Sequence, residues 1–308
     1  MFLEREFDHS FTCSQEVPLK TVHLAILLSL AVPVAALAEE PQEQTFTKVE
    51  PGADVVDPSK LIPLLERGDP RAMNNIGLLW AHGIGTQAPN YDEALRWWKD
   101  AARRGYVVSM NNIGLLYANG QGVAQDYTQA LKWWQMSAER GNAWAMNSVG
   151  DLYENGQGTE QNLLTALDWY QRAAQAGDGL AMYNIAAMYE TGHGVEVDLK
   201  AAYDWYNRAA DKGIASAMHN LGKMLEQGRG LPADRAEAIA WLSVAQIYFT
   251  PEDKDEVQAN VADLEKLAPT LNDVEQARAV EIEKNLASRI EERRKAEPLK
   301  PGPGESET

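Results

Sequence analysis

Sulfur chemistry is nearly absent from this chain. Its one cysteine, Cys13, has no partner for an intramolecular disulfide. That rules out a disulfide framework and leaves Cys-ligated zinc and thiol catalysis unsupported. Positive charge is also scarce: 28 Lys and Arg stand against 45 Asp and Glu, a net charge of -17. Phosphate binding needs a basic footprint, so nucleic acid is not an expected partner. Cationic partners, or solubility alone, suit the acidic balance better. Histidine is thin too. Of the five, His82, His193 and His219 lie beyond residue 38, and they show no His-x-x-x-His pair and no carboxylate at ligand spacing, so neither a metal nor a cofactor is expected. No nucleophile elbow and no phosphate loop occur. Acidic pairs such as Glu291-Glu292 sit in a mixed-charge stretch that reads as a solvated helix face. Nothing in the chain forms a catalytic constellation.

Long apolar runs are missing as well. The longest, Leu24 to Val32, is too short to span a bilayer comfortably. Lys20 precedes it, and Ala36-Leu37-Ala38 follows Pro33. A basic flank, a short apolar stretch and a small-x-small site read as a signal peptide over residues 1–38, cleaved after Ala38. No Cys follows the apolar stretch, so a lipid anchor is not indicated. The expected address is the periplasm or the exterior of a bacterium. Glu4, Glu6, Asp8 and Glu16 are out of place in a positive n-region. The reading is that translation starts near Val17 or Leu19 and that residues 1–19 over-extend the precursor. Residues 39–57 are rich in Glu, Gln and Pro and read as a flexible leader.

What the chain does have is a repeat. Gly-x-Gly elements stand at Gly83/Gly85, Gly120/Gly122, Gly156/Gly158, Gly192/Gly194 and Gly228/Gly230, spaced 37, 36, 36 and 36 residues apart. Trp97, Trp133, Trp169, Trp205 and Trp241 keep the 36-residue step, as do Gly105, Gly141, Gly177 and Gly213. Each unit reads as two helices. In the first, helix A, Met110, Ile113, Gly114 and Tyr117 recur at helical spacing. A Gly inside a helix costs about 1 kcal/mol against Ala. Its recurrence at one register (Gly77, Gly114, Gly150, Gly222, with Ala186 the exception) therefore implies a close helix approach. The Gly-x-Gly ends helix A with a left-handed cap. Asn90, Asp126, Asn162, Asp198 and Asp234 cap the second helix, helix B. Along helix B, Ala94, Ala130, Ala166, Ala202 and Ala238 precede the Trp, and further Ala follow it.

The pattern Ala-x-x-x-Leu-Gly-x-x-Tyr-x-x-Gly-x-Gly-Val-x-x-Asp-x-x-x-Ala-x-x-Trp-Tyr-x-x-Ala-Ala-x-x-Gly resembles the Sel-one-like repeat, a relative of the tetratricopeptide repeat. Gly192-His193-Gly194-Val195 through Asp198, Ala202, Trp205-Tyr206 and Ala209-Ala210 to Gly213 matches it nearly throughout. The resemblance covers about Asp69 to Phe249. It implies an all-α, right-handed superhelical solenoid of about five two-helix repeats, whose concave face holds peptides or partner proteins. The expected organisation is a repeat array over 58–249, capping helices within 250–297 and a disordered tail over 298–308. Leu61 to Gly68 reads as an N-terminal capping helix. Thr250-Pro251-Glu252-Asp253 reads as a helix start with Pro in its first position. Asn272 to Glu275 reads as a capping box. Helices are expected over 252–266 and 272–295.

For function, the recurrent Trp and Met read as core. Asn75, Asn112, Asn184 and Asn220 share one register of helix A, with Ser148 in repeat three. On a concave face such amides could grip an extended peptide backbone; alternatively, each ties neighbouring repeats together. Trp144 replaces a usually small residue and is an added contact candidate. Trp98 and Trp134 read either as exposed contact points or as packing between repeats. The resulting expectation is a non-catalytic scaffold or adaptor that binds a protein or peptide and meets a membrane only through that partner. One alternative is a hydrolase of the β-lactamase type, as linked to cysteine-paired relatives; the missing cysteines speak against it. A second alternative is a structural spacer.

Overall fold

The computed structural model describes residues 58–84 and 88–296. The expected signal peptide, leader and tail lie outside the described residues, as does Gly85. Among the described residues there are thirteen α-helices and no strand. A short helix α1 (Pro58–Glu66) precedes five helical hairpins. In these, helix A is α2 (Pro70–His82), α4 (Val107–Asn119), α6 (Ala143–Asn155), α8 (Gly179–Thr191) and α10 (Ala215–Gln227). Helix B is α3 (Tyr91–Arg103), α5 (Tyr127–Ala138), α7 (Leu163–Gln175), α9 (Leu199–Asp211) and α11 (Arg235–Tyr248). The chain then forms α12 (Lys254–Leu267), a 3-10 turn (Ala268–Thr270) and the long α13 (Asp273–Ala296). Each helix packs most heavily on its hairpin partner and next on the following hairpin. The result is the expected solenoid, with a core that runs along the array.

Local chemistry sets the helix ends. Asn90, Asp126, Asn162, Asp198 and Asp234 each accept a backbone N–H from the first turn of helix B. Helix A ends on Gly83, Gly120, Gly156, Gly192 or Gly228, all left-handed. The second glycine of the loop does more than reverse the chain. A Cβ on Gly158 would collide with the backbone at Tyr127, where the preceding helix B starts, so glycine there sets the spacing between repeats.

One expectation is corrected. The Trp of each repeat was read as its core residue, yet Trp97, Trp133, Trp169 and Trp205 are only half-buried. Arg172 and Arg208 lie over Trp169 and Trp205, with Cζ 4.0 and 3.9 Å from the ring centroids. The core knob is the next residue: Trp98, Trp134, Tyr170, Tyr206 and Leu242 are all buried. Trp98 and Trp134 are therefore not exposed, and both also pack on the next repeat: Trp98 clusters with Met110, Ile113 and Leu116, and Trp134 meets Trp144. Each lies on the small residue of its own helix A, where a Cβ on Gly77 or Gly114 would overlap the indole. Helix B turns 100° per residue, so two adjacent positions cannot both face helix A.

Trp241 is buried like a knob because α13 covers it. The outer face of α9 carries Lys200, Asp204 and Arg208, whereas the matching residues of α11 are Ala236, Ala240 and Val244, all buried. That apolar strip seats α13, and ion pairs frame it: Arg289 Nε to Asp211 Oδ1 at 3.0 Å, Arg293 to Asp211, and Arg278 Nη2 to Asp234 Oδ2 at 2.6 Å. Asn272 and Glu275 form a reciprocal capping box at the start of α13. The start of α12 differs from expectation. Asp253 accepts the Thr250 N–H (2.7 Å) and hydroxyl (3.0 Å). This folds residues 250–253 into a turn, and the helix begins at Lys254.

Candidate binding site

Four positions along each helix A, spaced i, i+3, i+7 and i+10, share one face. On α4 they are Val108, Asn111, Leu115 and Ala118; on α6, Trp144, Asn147, Asp151 and Glu154. On α8 they are Leu180, Tyr183, Ala187 and Glu190; on α10, Ser216, His219, Lys223 and Glu226. Side by side these stripes make a row that is largely apolar on α4, with carboxylates at Asp151 and Glu154 on α6 and at Glu190 on α8.

The predicted Asn register enters this row from its flank. Asn112 Nδ2 donates to Asn74 Oδ1 at 3.1 Å, and Ser109 Oγ donates to the same oxygen at 2.9 Å. Asn184 Nδ2 donates to Asn147 Oδ1 (3.1 Å) and Asp151 Oδ1 (3.3 Å). Asn220 sits beside the phenols of both Tyr183 and Tyr206. Asn112 and Asn184 thus reach back one repeat to the residue preceding the Asn register, Asn74 or Asn147. The acceptor row was missed at the sequence level, although Asn74, Asn111 and Asn147 recur in register. Ser148 breaks the ladder. It is too short to reach across, and its hydroxyl turns back to the Trp144 carbonyl at 3.1 Å. Asn111, 0% exposed, is left with neither amide atom paired. Asn75 is half-buried on α2. Trp144 stacks edge-on against Trp134, with centroids 5.5 Å apart. The structure therefore joins Asn184 and Asn220 to the row, buries Asn112 within the stack, and places Asn75 and Trp144 toward its N-terminal half.

The electrostatics centre on α6. Tyr170 Oη lies 2.7 Å from Asp151 Oδ1 and 2.5 Å from Glu154 Oε2. One phenol proton serves only one carboxylate at a time. Burial pushes the Asp151 carboxyl up to about 6, against the lowering effect of the Tyr170 hydrogen bond, and Glu154 adds to the rise. Burial also raises Asp178, the N-cap of α8, to about 6. The Tyr170 and Tyr206 phenols are held above their usual range, first by burial and then by the adjoining carboxylates. Glu190 bonds Tyr206 Oη at 2.6 Å and pairs with Arg229 at 2.6 Å. On α10 the stripe is covered by α12: His219 Nδ1 meets Asn260 Oδ1 at 3.0 Å, and Lys223 Nζ meets Asp263 at 2.7 Å. Among the described residues no group of His, Cys, Asp and Glu could hold a metal, and no helix is long and apolar enough to cross a membrane.

The fold defines a helical-repeat protein of a class that generally binds protein partners. The chain belongs to the Sel1 repeat family, whose pattern matches residues 70–106, 107–142, 145–178, 179–214 and 215–245. Such repeats serve in general as non-catalytic scaffolds for protein partners. Among solved structures, the chain is similar to a Sel1 repeat protein from Oxalobacter formigenes: 31% identity over 64% of this chain and 81% of the other, TM-score 0.58. It also resembles c5321, a protective antigen of uropathogenic Escherichia coli with an SLR fold: 19% identity over 83% and 61%, TM-score 0.45. A search of curated proteins found no match.

Proposed function

We propose that this protein is an exported, non-catalytic adaptor that holds a peptide or partner domain along the helix-A row. One observation carries the reading. The α10 stripe is covered by α12, while the α8 stripe keeps Leu180 at 42% exposure beside Tyr183. An exposed apolar residue beside aromatic and amide groups suits an extended segment, which takes backbone bonds from the amides and side-chain contacts from the apolar surface. In this reading Trp144, Asn75, Asn184 and Asn220 border the bound chain, and Asn112 holds the helices at the spacing it needs. Export rests on the basic flank, apolar stretch and Ala-Leu-Ala of residues 20–38. The expected address is the periplasm or the cell exterior.

The test places a photo-crosslinking amino acid at Leu180 and, as a control, at Val274 of α13, which is 79% exposed. In intact cells, position 180 should trap one dominant protein and position 274 should not. Equal labelling from both positions would reject the row. N-terminal sequencing of the mature protein should begin at Glu39. A mature chain that still starts upstream of the apolar stretch would reject export by this signal.

A further inference from the structure

Where the row ends against α12 there is a cavity of about 140 Å³. Tyr183, His219 and Asn220 line it from the repeats, and Phe249, Glu256 and Ala259 line it from the start of the cap. We propose that this cavity receives a lysine or arginine side chain of the polypeptide lying along the helix-A row. This rests on the binding reading above and adds the partner's chemistry to it.

Size comes first. A ligand pocket for a nucleotide or cofactor runs to about 300–1,000 Å³, whereas this cavity holds little more than one long side chain. The lining comes second. Two aromatic rings, Tyr183 and Phe249, offer walls to an alkyl stem and faces to a cation, and an exposed carboxylate, Glu256, sits with them. Asn220 sits beside the Tyr183 phenol on the same wall. His219 is fixed by Asn260. Asn260 Nδ2 donates to the Leu242 carbonyl and to Gln246 Oε1, so its Oδ1 faces His219 Nδ1 as an acceptor.

Charge comes third. The neighbouring carboxylates already have cations: Glu190 has Arg229, Glu226 has Lys223 and Lys266, and Asp263 has Lys223. Glu256 forms no ion pair among the described residues. Further up the row lie Asp151 and Glu154, with His193 3.8 Å from Glu154 as the nearest basic group. The approach to the cavity is therefore negative, as is the whole chain at -17. An anionic or purely apolar group would meet an unbalanced carboxylate there, while an ammonium or guanidinium would find a partner.

The test uses the full chain and four pools of fluorescein-labelled dodecapeptides. The pools are degenerate except at the central residue, which is Lys, Arg, norleucine or Glu. Anisotropy titrations should rank Lys and Arg about tenfold above norleucine, the order expected for one partly desolvated ion pair. Glu should rank last. The preference should shrink as salt is raised. Glu256→Gln should erase the Lys and Arg preference, and Ala259→Trp should fill the cavity with the same result. Both positions are exposed, so circular dichroism should be unchanged in each variant. Leu180→Glu, on the row but outside the cavity, is the control. Equal binding of all four pools, or a preference that survives both cavity variants, overturns the proposal. If Leu180→Glu still weakens every pool in that case, the row stands without the cavity. If it weakens none, the row falls too.

Discussion

Repeats one and two solve the same packing problem differently from repeats three and four. In all four an aromatic knob of helix B lies on the small residue of helix A. In the first two it is an indole whose N–H ends on a backbone carbonyl: Trp98 on Asn74 at 3.1 Å and Trp134 on Asn111 at 3.3 Å. In the next two it is a phenol whose hydroxyl ends on carboxylates, Asp151 and Glu154 or Glu190. The polar atom of Trp lies partway along the ring and meets the chain before the glycine, whereas that of Tyr lies at the tip and reaches the turn after it. The surface changes in step. Where the knob is Trp the stripe carries Leu78 and Ala81, or Leu115 and Ala118; where it is Tyr it carries Asp151 and Glu154, or Ala187 and Glu190. The choice of knob in the core thus goes with the character of the proposed binding face: apolar beside the Trp knobs, with carboxylates beside the Tyr knobs.

The largest way to break this comparison is at the small residue. Gly114→Val would drive two methyl groups into the Trp134 indole, and a loss of about 3 kcal/mol or more is expected in urea titrations followed by circular dichroism. Repeat four already carries Ala186 under Tyr206, so Ala186→Gly should cost only about 1 kcal/mol, chiefly from helix propensity.

Next is the phenol. Tyr170→Phe removes a donor shared by Asp151 and Glu154 and should cost about 2 kcal/mol at pH 7. Tyr206→Phe should cost less, because Glu190 keeps Arg229. Equal losses would show that the carboxyl pair is not what distinguishes the two repeats.

The pH dependence is the third test. The folded carboxyls of Asp151 and Asp178 lie near 6, above the usual 3.8. Between those values the native chain binds more protons than the unfolded chain. Their contribution to stability is full below the window and is lost as pH rises through about 6. The melting temperature should therefore rise on acidification from pH 7 toward 5. Asp178→Asn preserves the N-cap. It should stabilise the protein by about 1 kcal/mol at pH 7 and flatten part of that slope. A melting temperature that falls steadily between pH 7 and 5 would count against the buried carboxyls.

The smallest effect concerns the gap in the amide ladder. Ser148→Asn should let repeat three reach the orphaned Asn111 and gain about 1 kcal/mol, with no change of helicity. A loss instead would mean that the space beside Trp144 is already full.

Much of this architecture could be read from spacing. The helix ends follow from single residues: Asp126 or Asn162 begins a helix, and Gly120 or Gly156 stops one, whatever surrounds them. The interior glycine announced a close approach, because a costly residue kept at one register needs a packing reason. The identity of the neighbour was harder to read. Trp97 and Trp98 are adjacent and chemically alike, and only the rotation of α3 against α2 puts Trp98 inside. The Asn register was visible, but the residues it reaches, Asn74 and Asn147, lie on helix A of the preceding repeat and depend on the offset between repeats.

The sequence by itself determined what depends on one residue and its near neighbours: the 36-residue period, the caps, the turns, the two-helix unit and the shortage of cationic and thiol chemistry. The tertiary structure alone decided what depends on two helices meeting. It selected the buried member of each aromatic pair, left the Asn111 side-chain amide unpaired among the described residues, raised Asp151 by enclosing it, and closed the row against α12 to form a cavity. The physical reason is the range of the forces. Capping and backbone conformation act within one turn, whereas burial and desolvation depend on atoms that lie far apart in the chain until the repeats stack.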